Sequence, residues 1–237
     1  MNRNFTQRNL ELLSFIANRL EELCDEVTFV GGCITGLLIT DKAAPDVRFT
    51  IDVDCIINII TKARYYALGE KLRQKGFKEV VFGEHPLCRW DCDGILVDIM
   101  PTHKNVLGFS NTWYKEALSN PIYKKINDSI QIKIISAPYF LATKLEAFKD
   151  RGNQDFLSSH DLEDIISVLD GRPEIVNELL NESDHLKQYL SSEFSSIMID
   201  DKFIQALPGH LNYSNERGSR EKIILDQIRK IVNLGEK

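Results

Sequence analysis

Several features are missing from this sequence, and each absence narrows what the chain can be. No stretch approaches the ~18 uninterrupted apolar residues of a membrane span. The opening MNRNFTQRNLELL has neither a long apolar core nor a small-residue cleavage site, so it does not read as a secretory signal. Positive charge is not in excess. With 29 Lys and Arg against 35 Asp and Glu the net charge is −6, and any nucleic acid would have to meet a local basic patch. Cysteine is scarce and odd in number: Cys24, Cys33, Cys55, Cys88 and Cys92. Cys88 and Cys92 have no second pair to complete a zinc site, and the odd count predicts reduced thiols in a cytoplasmic protein. No internal repeat or low-complexity tract is present. No GxGxxG follows a strand either, which argues against a dinucleotide-binding turn.

What is present suffices for a real core: 237 residues, 43% of them hydrophobic, enough for one large domain or two small ones. The most informative stretch is 27–57. Residues 27–30 read as a buried strand, Gly31–Gly32 as a sharp turn, 33–39 as a short helix and 41–49 as a loop. A second strand follows over 50–57. There Ile51, Val53 and Cys55 fall on one face, and Asp52 and Asp54 fall on the other. Two carboxylates so placed, at roughly 5 Å, repel by about 1–3 kcal/mol at surface-like dielectric. A strand otherwise built for burial that accepts this repulsion predicts a cation beside it. A hard ion such as Mg²⁺ takes one or two carboxylates plus substrate phosphates.

The periodicity predicts a helix over 5–25 capped by Thr6, a helix over 61–75 closed by Gly76, and a strand over 78–82. A hairpin over 85–92 and 94–100 turns at Asp93–Gly94, and its second arm places a third carboxylate, Asp98, inside an apolar strand. A short helix over 112–118 and a second hairpin over 122–127 and 130–135 follow. From Pro138 onward the pattern is helical, in segments 138–149, 159–169, 173–181, 183–190, a ragged piece through 204, and 219–232. The expected class is therefore α+β, with a mixed sheet and flanking helices in a first domain (1–136) and a helical second domain (137–237). The glycine turn and the helix it opens would hold phosphates, and the carboxylates would hold one or two metal ions.

On these residues the chain resembles a known family. GGCITGLLITDKAAPDVRFTIDVDCII followed by ILVDIM is similar to the nucleotidyltransferase superfamily related to DNA polymerase beta. PYFLATKLEAFKDRGNQDFLSSHDLEDII is similar to the second signature of the AbiEii/AbiGii-type nucleotidyltransferases, toxins of type IV toxin–antitoxin pairs. Its positions here are Lys144–Leu145, Arg151, His160, Asp161 and Asp164. The resemblance implies that Asp52, Asp54 and Asp98 ligate Mg²⁺ (or Mn²⁺), with Asp54 or Asp98 also serving as base. It implies that Gly31, Gly32 and Thr35 cradle the triphosphate of an NTP. Lys144 would reach the phosphates, and Asp161 or Asp164 would orient Lys144 or touch the nucleotide, which would sit between the two lobes. The reaction would pass a nucleoside monophosphate to an acceptor hydroxyl of tRNA or another RNA, a protein, or a small molecule such as an antibiotic, with pyrophosphate released; a cognate antitoxin would be the partner. No serine follows Gly32, and this permits the alternative of a nucleotide-binding module without turnover.

Overall fold

A computed structural model describes residues 4–80, 87–151, 155–211 and 217–235. The chain divides into two compact units. One holds residues 1–36 and 46–136; the other holds 37–45 and 137–237. The segment 37–45, expected in the first domain, belongs to the helical unit.

The first unit opens with α1 (Phe5–Leu20). Its N-cap is Asn4, whose side chain accepts from the Gln7 amide, whereas the expected cap, Thr6, hydrogen-bonds Asp46 instead. The expected helix to residue 25 ends at Leu20 because Glu21 adopts a positive φ of 50°, and a 3-10 turn, Glu21–Asp25, follows. Next come β1 (Val27–Val30), a 3-10 turn (Gly32–Ile34) that runs into α2 (Thr35–Leu38), β2 (Asp52–Ile57) and α3 (Lys62–Gln74). Thr61 caps α3, as its hydroxyl position requires. β3 is only Lys78–Glu79; the rest of the expected strand, with His85, lies outside the described residues. β4 (Arg89–Cys92) and β5 (Ile95–Pro101) form the expected hairpin. Asp93 and Gly94 have φ of 53° and 85°, the two left-handed residues that a tight hairpin turn of this kind demands. Short helices α4 (Lys104–Leu107) and α5 (Tyr114–Ser119) and the hairpin β6 (Ile122–Lys125) and β7 (Gln131–Ile134) complete the unit.

Among the described residues, seven strands make one mixed sheet in the order β3-β4-β5-β2-β1-β7-β6. β2 lies parallel to β5 and antiparallel to β1, so the two acid-bearing strands are neighbours at the sheet centre.

The helical unit contains α6 (Ala137–Arg151), α7 (His160–Gly171), α8 (Ile175–Leu180), α9 (Asp184–Met198), α10 (Asp201–His210) and α11 (Arg217–Leu234). Segment 37–45 is tied onto the end of α7. The amides of Thr40 and Asp41 both donate to the Gly171 carbonyl at 2.9 and 3.0 Å, and Arg220 pairs with Asp170 at 2.8 Å and donates to the Ala43 carbonyl. Any side chain at Gly171 would meet Ile39 and Ala44 at 2.8–3.1 Å, so glycine is what allows this close approach.

Candidate functional site

The register of the central strands assembles the acids. Asp54 stands directly opposite Asp98 across the parallel β2–β5 pair, and Asp98 stands opposite Arg89 across the β4–β5 hairpin. Residues opposite one another share a face, and Asp52, two along from Asp54, shares it too. Asp52, Asp54, Asp98 and Arg89 therefore project from one side of the sheet, while Val53, Val97 and Trp90 project from the other. Val53 and Val97 are fully buried, so apolar packing on the far side fixes which way the acids point.

Arg89 decides the local electrostatics. Its Nε and Nη2 donate to the two oxygens of Asp98 at 2.8 and 2.7 Å, a fork geometry, and Nη2 lies 3.9 Å from Asp52. The hydrogen bond to Asp98 raises the Arg89 pKa above its ordinary value, and the charges of Asp98, Asp52 and Asp54 add to it, so the guanidinium is a fixed cation. Asp98, expected as a third metal ligand, thus has both oxygens engaged by arginine. Asp52 is more open than Asp98, its side chain 36% exposed against 10%.

The glycine turn touches the same cluster. Gly31 has φ 73° and ψ −169°, a region effectively restricted to glycine, and a Cβ there would collide with the Asp54 carboxylate. A Cβ at Gly32 would collide with the guanidinium of Arg48. Both glycines are thus spaces that charged side chains fill, one an acid and one an arginine. Thr35, expected to help hold phosphates, is fully buried and its hydroxyl has no hydrogen-bond partner among the described residues, so it faces the interior and not the turn's surface. Sequence reasoning missed Arg48 and Arg89.

Two carboxylates and substrate phosphates are enough to hold Mg²⁺. Asp52 and Asp54, all-oxygen donors on one face beside a turn open to close approach, fit that role. Among the described residues no three acidic, histidine or cysteine side chains are grouped to hold a metal by themselves, in keeping with the diversion of Asp98 to Arg89.

In the helical unit, Lys144 is buried between Asp161 at 3.0 Å and Asp164 at 2.6 Å. Arg151 reaches Asp161 from outside with two further bonds of 2.9 Å. Burial pushes the Asp161 carboxyl up, but the Arg151 hydrogen bond and the charges of Lys144 and Arg151 outweigh it and bring it down to about 2. Lys144, Arg151, Asp161 and Asp164, quoted together from the sequence, are therefore together in space. Lys144, expected to reach phosphates, has its ammonium committed to two acids of its own unit. His160 is an exposed residue beside Glu163.

No helix among the described residues is long and apolar enough to cross a membrane. No family model matches the chain, and no curated protein does. Among solved structures, the chain is similar to the crystal structure of an antigenic nucleotidyltransferase-like protein from Paracoccidioides brasiliensis, with 21% identity and a TM-score of 0.50 over 85% of this chain and 92% of that one. The chain has a nucleotidyltransferase-like fold, in which a central mixed sheet carries the acidic pair and the glycine turn.

Proposed function

We propose that this protein is a nucleotidyltransferase that uses Mg²⁺ or Mn²⁺ to move a nucleoside monophosphate from an NTP to an acceptor hydroxyl. The observation that carries this reading is the convergence of Asp52 and Asp54 with the Gly31–Gly32 turn on one side of the sheet. Asp52 and Asp54 would hold the metal. When bound, such an ion supplies charge neutralisation for the transferring phosphoryl group and orients it. The chain's own contributions are positional. Gly31 leaves room for the Asp54 carboxylate to lie against the turn, and Arg48 against Gly32 presents a guanidinium where an anionic triphosphate would approach. Arg89 fixes Asp98 and keeps the third acid from repelling that triphosphate. Asp54, against the Gly31 turn, would also accept the acceptor's proton.

The finer reading, a toxin of a type IV pair acting on tRNA or another RNA with a cognate antitoxin, draws its support from the spatial clustering of Lys144, Arg151, Asp161 and Asp164. A second reading, nucleotide binding without turnover, is favoured by one observation: both Asp98 oxygens are held by Arg89. The test is to incubate pure protein with each labelled NTP, Mg²⁺, and RNA, protein and aminoglycoside acceptors. Label transfer with pyrophosphate release that disappears in the Asp52→Ala, Asp54→Ala double variant supports the enzyme. Mg–NTP binding with no pyrophosphate from any acceptor supports the binding module.

A further inference from the structure

The sheet has a second functional-looking side. Opposite the acids lies a cavity of about 620 Å³, within the range of about 300–1,000 Å³ typical of small-ligand sites, bounded by α3, β3, β4 and α4. Its floor is aromatic and fixed. Trp90 is buried, Tyr65 is anchored by its hydroxyl donating to the Ile99 carbonyl at 3.0 Å, and Arg73 lies over the Trp90 ring at 5.7 Å. Gly69 in the middle of α3 makes this possible: a Cβ there would stand 3.3 Å from Trp90 Cη2. A glycine inside a helix weakens it, so the packing of Trp90 is bought with helix stability. At the mouth, Tyr66 and Leu87 are 71% and 68% exposed, large apolar surfaces that a flat ring could cover.

The charge at the mouth points to an anion. Arg73 is already paired with Glu70 and Glu79 at 2.7 and 2.8 Å. Lys62 and Lys104 also line the cavity, and among the described residues neither has an ion-pair or hydrogen-bond partner for its ammonium. Lys62 stands at the first position of the 13-residue α3, which has no acid in its first turn. A cation there opposes the helix dipole, so helix stability does not explain it. Two lysines with no partner among the described residues, beside exposed and buried aromatic rings, in a chain of net charge −6, form a local reversal of sign.

We infer that this cavity binds a free mononucleotide, its base against Tyr66 and Leu87 over the Trp90 floor and its phosphate between Lys62 and Lys104. This site lies on the other face of the sheet from Asp52 and Asp54 and does not rest on the proposed transfer reaction.

The test is isothermal titration with AMP and with UMP in EDTA, where a metal-dependent carboxylate site is silent. Binding is expected for the wild type and for Asp52→Asn, Asp54→Asn alike. It should weaken at least tenfold in Lys62→Glu, Lys104→Glu and several-fold in Tyr66→Ala. Glutamate at position 62 suits the helix start, so loss of binding there would not be loss of folding. No heat with either nucleotide would overturn the inference. So would binding that is insensitive to the lysine pair, or binding only by a short 5′-phosphorylated oligonucleotide and not by mononucleotides, the last assigning the cavity to an RNA end.

Discussion

The two units each gather acids around cations, and they do it in opposite ways. In the helical unit Lys144 is 5% exposed, with Asp161 and Asp164 at 4% and 1%; every charge has its counter-charge within 3 Å. On the sheet, Asp52 is half-open, its contact to Arg89 is 3.9 Å, and glycines replace side chains where Asp54 and Arg48 lie. A buried, fully paired cluster has no free valence for a ligand, and breaking it leaves a charge stranded in low dielectric. A part-exposed cluster beside a glycine turn can still accept a cation from solution. The same residue types are therefore closed off in one unit and left accessible in the other, and burial decides which.

The contrast can be broken experimentally, beginning with the largest effect. Replacing Asp52 and Asp54 by Asn should lower nucleotide transfer by about 10³-fold or more, the scale of losing preorganised charge stabilisation, while cooperative melting persists. In the helical unit the order reverses. Lys144→Met should destabilise by about 3–5 kcal/mol in urea unfolding, because buried Asp164 loses its lysine and Asp161 is left with Arg151 alone as a cation. Adding Asp161→Asn and Asp164→Asn to that variant should recover much of the loss. Gly31→Ala should cost about 3 kcal/mol from backbone strain and the Asp54 collision, read as a lower denaturant midpoint.

Acid sharpens the comparison. Asp161 titrates at about 2 in the folded protein, below its ordinary value near 4. A carboxylate so depressed contributes stability that is present above its unfolded pKa and is lost as pH falls through the folded one. About 2 kcal/mol should therefore disappear between about pH 4 and pH 2, and Asp161→Asn should remove that dependence from a pH series of unfolding curves.

Much of this was legible in the sequence, and the failures are instructive. Alternation over 51–55 and the Asp93–Gly94 turn reveal the sheet and the side on which the acids lie, because both are local signals. The Arg89–Asp98 fork was legible in principle: a two-residue turn pairs Cys92 with Ile95, and counting outward sets Arg89 against Asp98. The role of segment 37–45 was not. Its hydrogen bonds run to Gly171 and its ion pair to Arg220, partners more than a hundred residues away that no periodicity encodes. The burial of Thr35 was not legible either, because a hydroxyl near a glycine turn says nothing of which way a short helix faces, and this one faces the core. The capping of α1 by Asn4 instead of Thr6 has a similar cause, since Asp46 of a distant loop claims Thr6.

The measurement closest to the central claim is the binding of Mn²⁺, followed by electron paramagnetic resonance, with and without a non-hydrolysable NTP. Wild-type protein should bind the ion more tightly when the nucleotide is present, and Asp52→Asn, Asp54→Asn should bind it no better than buffer-level background. Equal Mn²⁺ occupancy in the wild type and the double variant would contradict the assignment of the acid pair and leave the sheet face without its proposed chemistry.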